Sequence, residues 1–354
     1  MIFFLTKGGK NDEIKKEFFK FTTNSDFKFI YSLDVSFVIF VYNSHNRLGR
    51  YCMARKSNVK RVEPRKANLK VVKDNEVKTT AYNDINLRKW KEYDHVKTDT
   101  LWEFSSRLKD GGHSNEYHGN FIPQIAQQLY ERYTKKNDIV LDLFFGSGTS
   151  GIEAINMGRR CIGVELKQEL AEKVSEKFTP KQLVTDVNII SADSASELAK
   201  EKIQARLDIM GREKAQLLIL HPPYDDIIKF SDKKEDLSNC GSTEKFYELF
   251  KQVAKNGYDL LEDGRFAALI IGDKYADSQI ISLGFECQER MKQLGFIHKA
   301  TIIKDMQGNE RAKGKTANLW RYRALAMGFN IFKHEYIMIF QKNEKLLKKH
   351  LRAL

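Results

Sequence analysis

Residues 138–165, Asp-Ile-Val-Leu-Asp-Leu-Phe-Phe-Gly-Ser-Gly-Thr-Ser-Gly-Ile-Glu-Ala-Ile-Asn-Met-Gly-Arg-Arg-Cys-Ile-Gly-Val-Glu, constrain the fold of this chain more than any other stretch. The apolar run from Ile139 to Phe144 predicts a buried strand, and Gly146-Ser147-Gly148-Thr149 a turn of small residues. A short helical stretch and a second buried strand, Cys161 to Glu165, complete a β-α-β unit. Glycines at the strand-to-helix junction let backbone approach a ligand closely, and the helix start offers free N–H groups. Glu165 follows Asp142 by 23 residues and closes the second strand, where a carboxylate can hold the two hydroxyls of a ribose.

The turn differs from a dinucleotide-binding fingerprint. Gly146, Gly148 and Gly151 have the Gly-x-Gly-x-x-Gly spacing, but Asp142 stands before them inside the strand. A carboxylate there repels a pyrophosphate and suits a cationic or zwitterionic ligand. A glycine-rich turn by itself also fits a packing role. With Asp142 and Glu165 in register, the reading moves to a nucleoside-type cofactor.

A second anchor is His221-Pro222-Pro223-Tyr224, directly after the apolar run 215–220. The chain has 5 prolines, and two stand side by side here. Each fixes φ and removes an N–H, so the pair predicts a stiff turn whose carbonyls remain free to accept hydrogen bonds. Tyr224 is then a flat surface at the rim of the sheet.

Together these motifs carry a resemblance. Residues 141–149, Leu-Asp-Leu-Phe-Phe-Gly-Ser-Gly-Thr, resemble the cofactor motif of S-adenosylmethionine-dependent amino-methyltransferases, the enzymes that methylate adenine-N6 or cytosine-N4 in DNA. His221-Pro222-Pro223-Tyr224 resembles their catalytic Asp/Asn/Ser-Pro-Pro-Tyr/Phe motif, with His221 as the departure. The resemblance covers roughly residues 100–342. It implies S-adenosylmethionine held by Asp142, Phe144, Gly146, Ser147, Gly148, Thr149 and Glu165. Phe121 and Ile122 would line its methionine side.

Charge and composition agree with a polyanion as partner. Lys and Arg number 60 against 47 Asp and Glu, a net charge of +13, which a lysine-rich proteome would also produce. Hydrophobic residues at 42%, with 11% aromatics, can support a core. Cys52, Cys161, Cys240 and Cys287 lack paired spacing, so neither a disulfide framework nor a metal site is expected, and a cytoplasmic setting fits. Residues 35–42, the most apolar stretch, fall far short of the roughly 20 residues that span a bilayer.

Residues 1–52 read as an N-terminal extension of uncertain order, mixing a helix-like segment at 11–21 with a strand-like run at 35–42. The character changes at Met53, and a chain beginning there is expected to keep activity. Residues 53–98 form a basic arm; within it 54–75 hold many Lys and Arg against only Glu63 and Asp74, fitting a solvated tail or a phosphate-contacting arm equally. Residues 99–342 are the methyltransferase domain, and 343–354 a basic tail.

Inside the domain, Pro123 starts a helix, and seven strand candidates alternate with helices. That is an α/β, doubly wound, mostly parallel seven-stranded sheet, Rossmann-like in the terms of the resemblance. Asp193, at the end of the strand 187–190, is placed to receive a cofactor adenine amino group or to cap the next helix. The long connection 304–333 carries Arg311, Lys313, Lys315, Trp320, Arg321, Tyr322 and Arg323 without a carboxylate among them. Cations interleaved with aromatics fit phosphate contacts and base stacking on double-stranded DNA.

The expected reaction methylates an exocyclic amine of a flipped base, adenine-N6 ahead of cytosine-N4, with a restriction endonuclease as a natural partner. Two readings compete with it. A guanine-N2 RNA methyltransferase resembles the same motif pair, and a binding protein of this fold silenced by His221 would keep the cofactor residues.

Overall fold

A computed structural model describes residues 78–109, 111–113, 119–306 and 317–351, together with the backbone of five strands near the N-terminus. The chain divides into two compact units, 1–76 and 77–354. In the first, Ile2–Lys7 pairs antiparallel with Ile14–Phe19, and Lys28–Leu33, Ser36–Tyr42 and Leu48–Met53 form a three-stranded antiparallel sheet. The helix-like reading of 11–21 gives way to a strand there: a helix this short is marginal by itself, whereas a neighbouring strand satisfies the backbone groups directly. The basic stretch 54–75 lies outside the described residues.

The second unit is built on an eight-stranded sheet. Its strands are β1 (Leu101–Trp102), β2 (Ile139–Asp142), β3 (Arg160–Glu165), β4 (Val187–Ser191), β5 (Ala215–Leu220), β6 (Leu261–Ile271), β7 (Phe296–Asp305) and β8 (His334–Lys342). They lie in the order β1-β7-β8-β6-β5-β2-β3-β4. Only β8 runs antiparallel, against β6 on one side and β7 on the other. The seven expected strands all form, and the two-residue β1 adds an eighth at the edge beside Ile303 and Lys304.

The central strands are apolar along their whole length because both faces are covered. Every residue of β2 and β5 is buried. One face packs α1 (Pro123–Tyr133), α2 (Thr149–Asn156) and α3 (Gln168–Ser175), through Ile125, Leu129, Tyr130, Ile152 and Val174, with the short α4 (Pro180–Thr185) against β4. The other packs α5 (Glu197–Ile209), α6 (Thr243–Leu260) and α7 (Leu283–Gln293), through Ile203, Phe246, Phe250, Val253 and Met291. In α6 these apolar residues recur at helical spacing, and the Ser242 hydroxyl accepts the Lys245 N–H to cap the start. Phe250 is fully buried, so Phe250→Ala would cost about 3–5 kcal/mol.

Two helices outside this core flank the last strand. α8 (Ala317–Met327) lies within the connection 304–333, and α9 (Glu344–Leu351) forms the basic tail. Residues 78–98 pack on the domain: Asn83 Nδ2 donates to the Arg132 carbonyl at 2.9 Å, and Tyr82 meets Phe266 edge-on at 4.9 Å. No helix among the described residues is long and apolar enough to cross a membrane.

The strand order reverses between β2 and β5. Chain entering β3 and β4 leaves on one side, and chain entering β6 leaves on the other. Beyond the carboxyl ends of strands at such a switch point the crossing connections diverge, leaving a crevice. Both sequence anchors end there.

Candidate active site

The crevice is a cavity of about 700 Å³, within the roughly 300–1,000 Å³ of small-molecule sites. Phe144, Gly146 and Thr149 from the glycine turn, Glu165 from the end of β3 and Asp193 after β4 line one part of it. Phe121 and Ile122, just before α1, and His221, Pro222, Pro223 and Tyr224, after β5, line the rest. Eleven of the fourteen sequence-selected catalytic and cofactor residues thus share one space. Asp142, Ser147 and Gly148 do not line it.

Asp142 sits behind the turn. Its carboxylate accepts the Phe144 N–H at 2.9 Å and the Ser150 hydroxyl at 2.6 Å. Burial pushes its carboxyl up to about 6, against those two stabilising hydrogen bonds. The residue therefore ties strand, turn and helix into one rigid piece. Ser147 also braces the turn, since its hydroxyl accepts from Asn120 and so links the 119–122 segment to it. Gly148 takes φ of 82°, and a Cβ there would come within 2.7 Å of Val174. A side chain would be strained in conformation and in space alike.

Glu165 is the carboxylate that does face the cavity. One oxygen accepts the Gly146 N–H at 3.0 Å and the other the Lys167 N–H at 2.9 Å. Burial raises its carboxyl, opposed by those bonds. Each oxygen retains a lone pair for a further donor, which suits two adjacent ribose hydroxyls. The turn is held close by Phe145, whose ring occupies the space over Gly163 in β3 where a Cβ would stand. Asp193 lines the cavity and accepts the Ala195 N–H at 2.9 Å in the turn before the next helix. The cap of that helix is not Asp193 but Ser196, whose hydroxyl accepts the Ala199 N–H.

Across the cavity, His221 is in edge-to-face contact with Phe121 at 5.4 Å and with Tyr224 at 6.1 Å. Burial lowers its imidazole to about 4, so the ring is neutral at physiological pH. Tyr224 donates its hydroxyl proton to Glu335 Oε2 at 2.8 Å. Glu335 Oε1 in turn meets Lys304 Nζ at 2.9 Å. Both line the cavity, and neither drew attention in the sequence, where each is a single charge at the end of an apolar strand. Their pairing is a register property: Lys304 on β7 stands opposite Glu335 on β8.

The chain beyond Tyr224 is pinned. Asp225, at φ of 52°, accepts from Lys274 Nζ at 2.6 Å and from the Thr243 hydroxyl at 2.7 Å. Lys274 also meets Asp226 at 2.8 Å.

Of the residues expected to contact nucleic acid, Trp320, Arg321 and Arg323 lie exposed on α8, with the Arg323 guanidinium over the Trp320 ring at 5.4 Å. Leu319, Tyr322, Leu325 and Met327 are exposed beside them. Arg311, Lys313 and Lys315 fall outside the described residues.

A doubly wound sheet whose glycine turn and terminal carboxylate face a Pro-Pro turn across one crevice defines an enzyme class built on a nucleoside cofactor. Within it, a family model described as DNA methylase, of the N6/N4 type, matches residues 1–176, just under half of the chain, and over those residues the chain is similar to that S-adenosylmethionine-dependent family. His221–Tyr224 lies beyond the matched residues.

Individual proteins are more distant. The chain is 24% identical over 196 residues, 54% of its length and 25% of the relative's, to a provisionally assigned type III restriction-modification Mod subunit (HindVI) of Haemophilus influenzae. It is 23% identical over 227 residues, 60% of its length and 54% of the relative's, to a Methanocaldococcus jannaschii protein provisionally assigned as a ribosomal RNA large subunit methyltransferase. TrmN from Thermus thermophilus matches with a TM-score of 0.40 at 16% identity, covering 64% of this chain and 50% of that one. The chain therefore spans a quarter to about half the length of these curated relatives.

Proposed function

We propose that this protein is a site-specific DNA methyltransferase acting on an exocyclic amino group of a flipped base, with adenine-N6 preferred over cytosine-N4. A restriction-modification setting, with a cognate endonuclease as partner, accompanies that reading. One observation carries it: the glycine turn, Glu165 and the His221–Tyr224 turn line the same cavity. The likeness to a type III restriction-modification Mod subunit supports the setting.

The residues fit S-adenosylmethionine. Glu165 would hold the ribose hydroxyls and Asp193 the adenine amine, while Phe121, Ile122 and Phe144 supply apolar walls. The Glu165 and Asp193 carboxylates and the aromatic faces of Phe121 and Phe144 suit a ligand that carries positive charge. When bound, that cofactor supplies a methyl group already activated for in-line transfer.

The chain's own work is then to prepare the amine. An aromatic amine is a weak nucleophile because its lone pair is delocalised into the ring. The Pro222 carbonyl and neutral His221 accept hydrogen bonds from the amine and so localise that pair on nitrogen. As the new N–C bond forms the amine sheds one proton, for which neutral His221 is an acceptor. A base inside a duplex cannot reach this cavity, so it is flipped out and stacked on Tyr224. α8, with Trp320, Arg321 and Arg323 exposed, offers stacking and phosphate contacts to the surrounding DNA. Adenine is preferred because Asp- and Asn-type motifs go with it, and His221 is the polar group nearer to those than to Ser.

The second reading, an RNA methyltransferase, is favoured by the Methanocaldococcus likeness. Competition for a labelled methyl group between unmethylated duplex DNA and ribosomal RNA separates the two. Label in DNA supports the DNA reading, and label confined to RNA transfers the assignment to the second.

A further inference from the structure

Beneath the His221–Tyr224 turn lies a buried ion pair that the cofactor motif does not explain. Lys304 is 2% exposed and Glu335 5%, and both sit at the wall of the cavity. Two charges are costly to remove from water, and their mutual attraction offsets that only with good geometry and further hydrogen bonds. Here Glu335 commits one oxygen to Lys304 at 2.9 Å and the other to the Tyr224 hydroxyl at 2.8 Å. The Tyr224 ring is also backed by Gly272 at the end of β6, where a Cβ would come within 2.9 Å of Tyr224 Cε2. One aromatic ring is thus fixed at its hydroxyl by a carboxylate and along its side by bare backbone.

We propose that Lys304 and Glu335 are positioning residues that hold the Tyr224 ring at the angle at which a flipped base stacks beside His221. The inference rests on the methyltransferase reading of the same cavity and deepens it. Lys304 acts through Glu335, and Glu335 through Tyr224. Placing the anchor on β7 and β8 rather than on a loop makes the angle a property of sheet register, since Lys304 and Glu335 are direct cross-strand partners. The pair also serves a second purpose. A protonated Glu335 would hold Tyr224 only through a neutral oxygen, a weaker hydrogen bond than the charge-assisted one to a carboxylate, so the anchor needs an ionised carboxylate in a dry place.

The groups facing Glu335 are Lys304 on β7 and His221 and Tyr224 on the turn after β5. Burial raises the Glu335 carboxyl, but Lys304 above all, with His221 and the hydrogen bonds, holds it below the usual carboxylate range. Without Lys304 the raising effect of burial loses its main opponent, so the carboxyl moves up and a larger share of it is protonated as pH falls. A pH-dependent loss is therefore the mark of positioning by charge, which a merely structural role would not produce.

The test uses the full chain, labelled S-adenosylmethionine and unmethylated duplex DNA, with kcat measured from pH 6 to pH 9. Lys304→Met is expected to lower kcat about 10- to 100-fold at neutral pH, with cofactor affinity unchanged, and to recover activity toward pH 9. Tyr224→Phe, which removes only the hydroxyl and keeps the ring, is expected to lose activity without gaining pH dependence. Combining it with Glu335→Gln should cost no more than Glu335→Gln alone, because both break the same link. If Lys304→Met fails to fold, the Tyr224→Phe and Glu335→Gln cycle still decides the matter. Wild-type kcat and pH profile in these variants, in an active protein, would overturn the positioning role and leave the methyltransferase reading standing. An inactive wild-type protein on both DNA and RNA would overturn the two together.

Discussion

Glu165 and Gly146 are joined on one wall of the crevice by a 3.0 Å hydrogen bond from the Gly146 N–H to the Glu165 carboxylate. That one bond ties the end of β3 to the glycine turn after β2, so the two move as one edge of the proposed nucleoside site. Glu165→Gln keeps the shape but weakens every hydrogen bond the carboxylate accepts. Charge-assisted hydrogen bonds contribute roughly 1.5–3 kcal/mol each, so losing one lowers cofactor affinity about 10- to 150-fold. Isothermal titration with S-adenosylhomocysteine measures this, and an unchanged Kd would remove Glu165 from the ribose role.

Asp142 has a different signature, in stability rather than in binding. Its folded-state carboxyl is raised to about 6 by burial, above the ordinary carboxylate range. The folded state therefore holds a proton that the unfolded state releases, and this group's contribution to stability falls as pH rises from about 4 to about 6. The full effect is on the order of 3 kcal/mol. Asp142→Asn should remove that pH-dependent part while keeping partners for Phe144 and Ser150. Urea unfolding of both proteins at either end of this window tests it through the wild-type-minus-variant difference; a difference that does not change with pH contradicts the assignment.

His221, lowered to about 4 by burial, stays neutral throughout the physiological range. Methyl transfer should accordingly show no His221 titration between pH 6 and pH 8 and should decline only in strongly acidic buffer. His221→Asn, which keeps a hydrogen-bond acceptor, should retain more activity than His221→Ala, whose loss is expected near 10²-fold. Equal activity in the two variants would show that the His221 side chain does not accept from the amine.

Much of this architecture was legible because parallel strands covered on both faces must be apolar throughout. Ile139 to Phe144 and the run 215–220 announce themselves in that way, and the glycine and proline turns mark their carboxyl ends. Strands at and next to the sheet edge are less legible. β7 extends from Phe296 to Asp305 through His298 and Lys299, polar residues that interrupt the apolar signal. Leu101–Trp102 has no periodicity from which to read a strand. The inward turn of Asp142 is a matter of side-chain direction: its spacing from Glu165 suggests a shared ligand, yet Ser150 and Phe144 occupy its oxygens. The Lys304–Glu335 pair depends on the register between two strands distant in sequence, which no local pattern encodes.

α8 makes a prediction separate from the cavity. Trp320, Arg321 and Arg323 are exposed, and none of them lines the cofactor site. Arg321→Ala with Arg323→Ala should weaken DNA binding and reduce its salt slope by about 0.9 for each phosphate the protein no longer neutralises. Trp320→Ala should cost about 1–3 kcal/mol if a base stacks on it. Fluorescence anisotropy at several salt concentrations reads both effects, and cofactor affinity should not move. Unchanged DNA binding in the triple variant would place the nucleic-acid interface elsewhere.

The most direct measurement is transfer itself. The purified full chain is incubated with labelled S-adenosylmethionine and unmethylated bacterial DNA, and the product is digested to nucleosides for mass spectrometry. Label is expected in deoxyadenosine carrying one methyl group on N6. Bound cofactor with no label in any deoxynucleoside would contradict it.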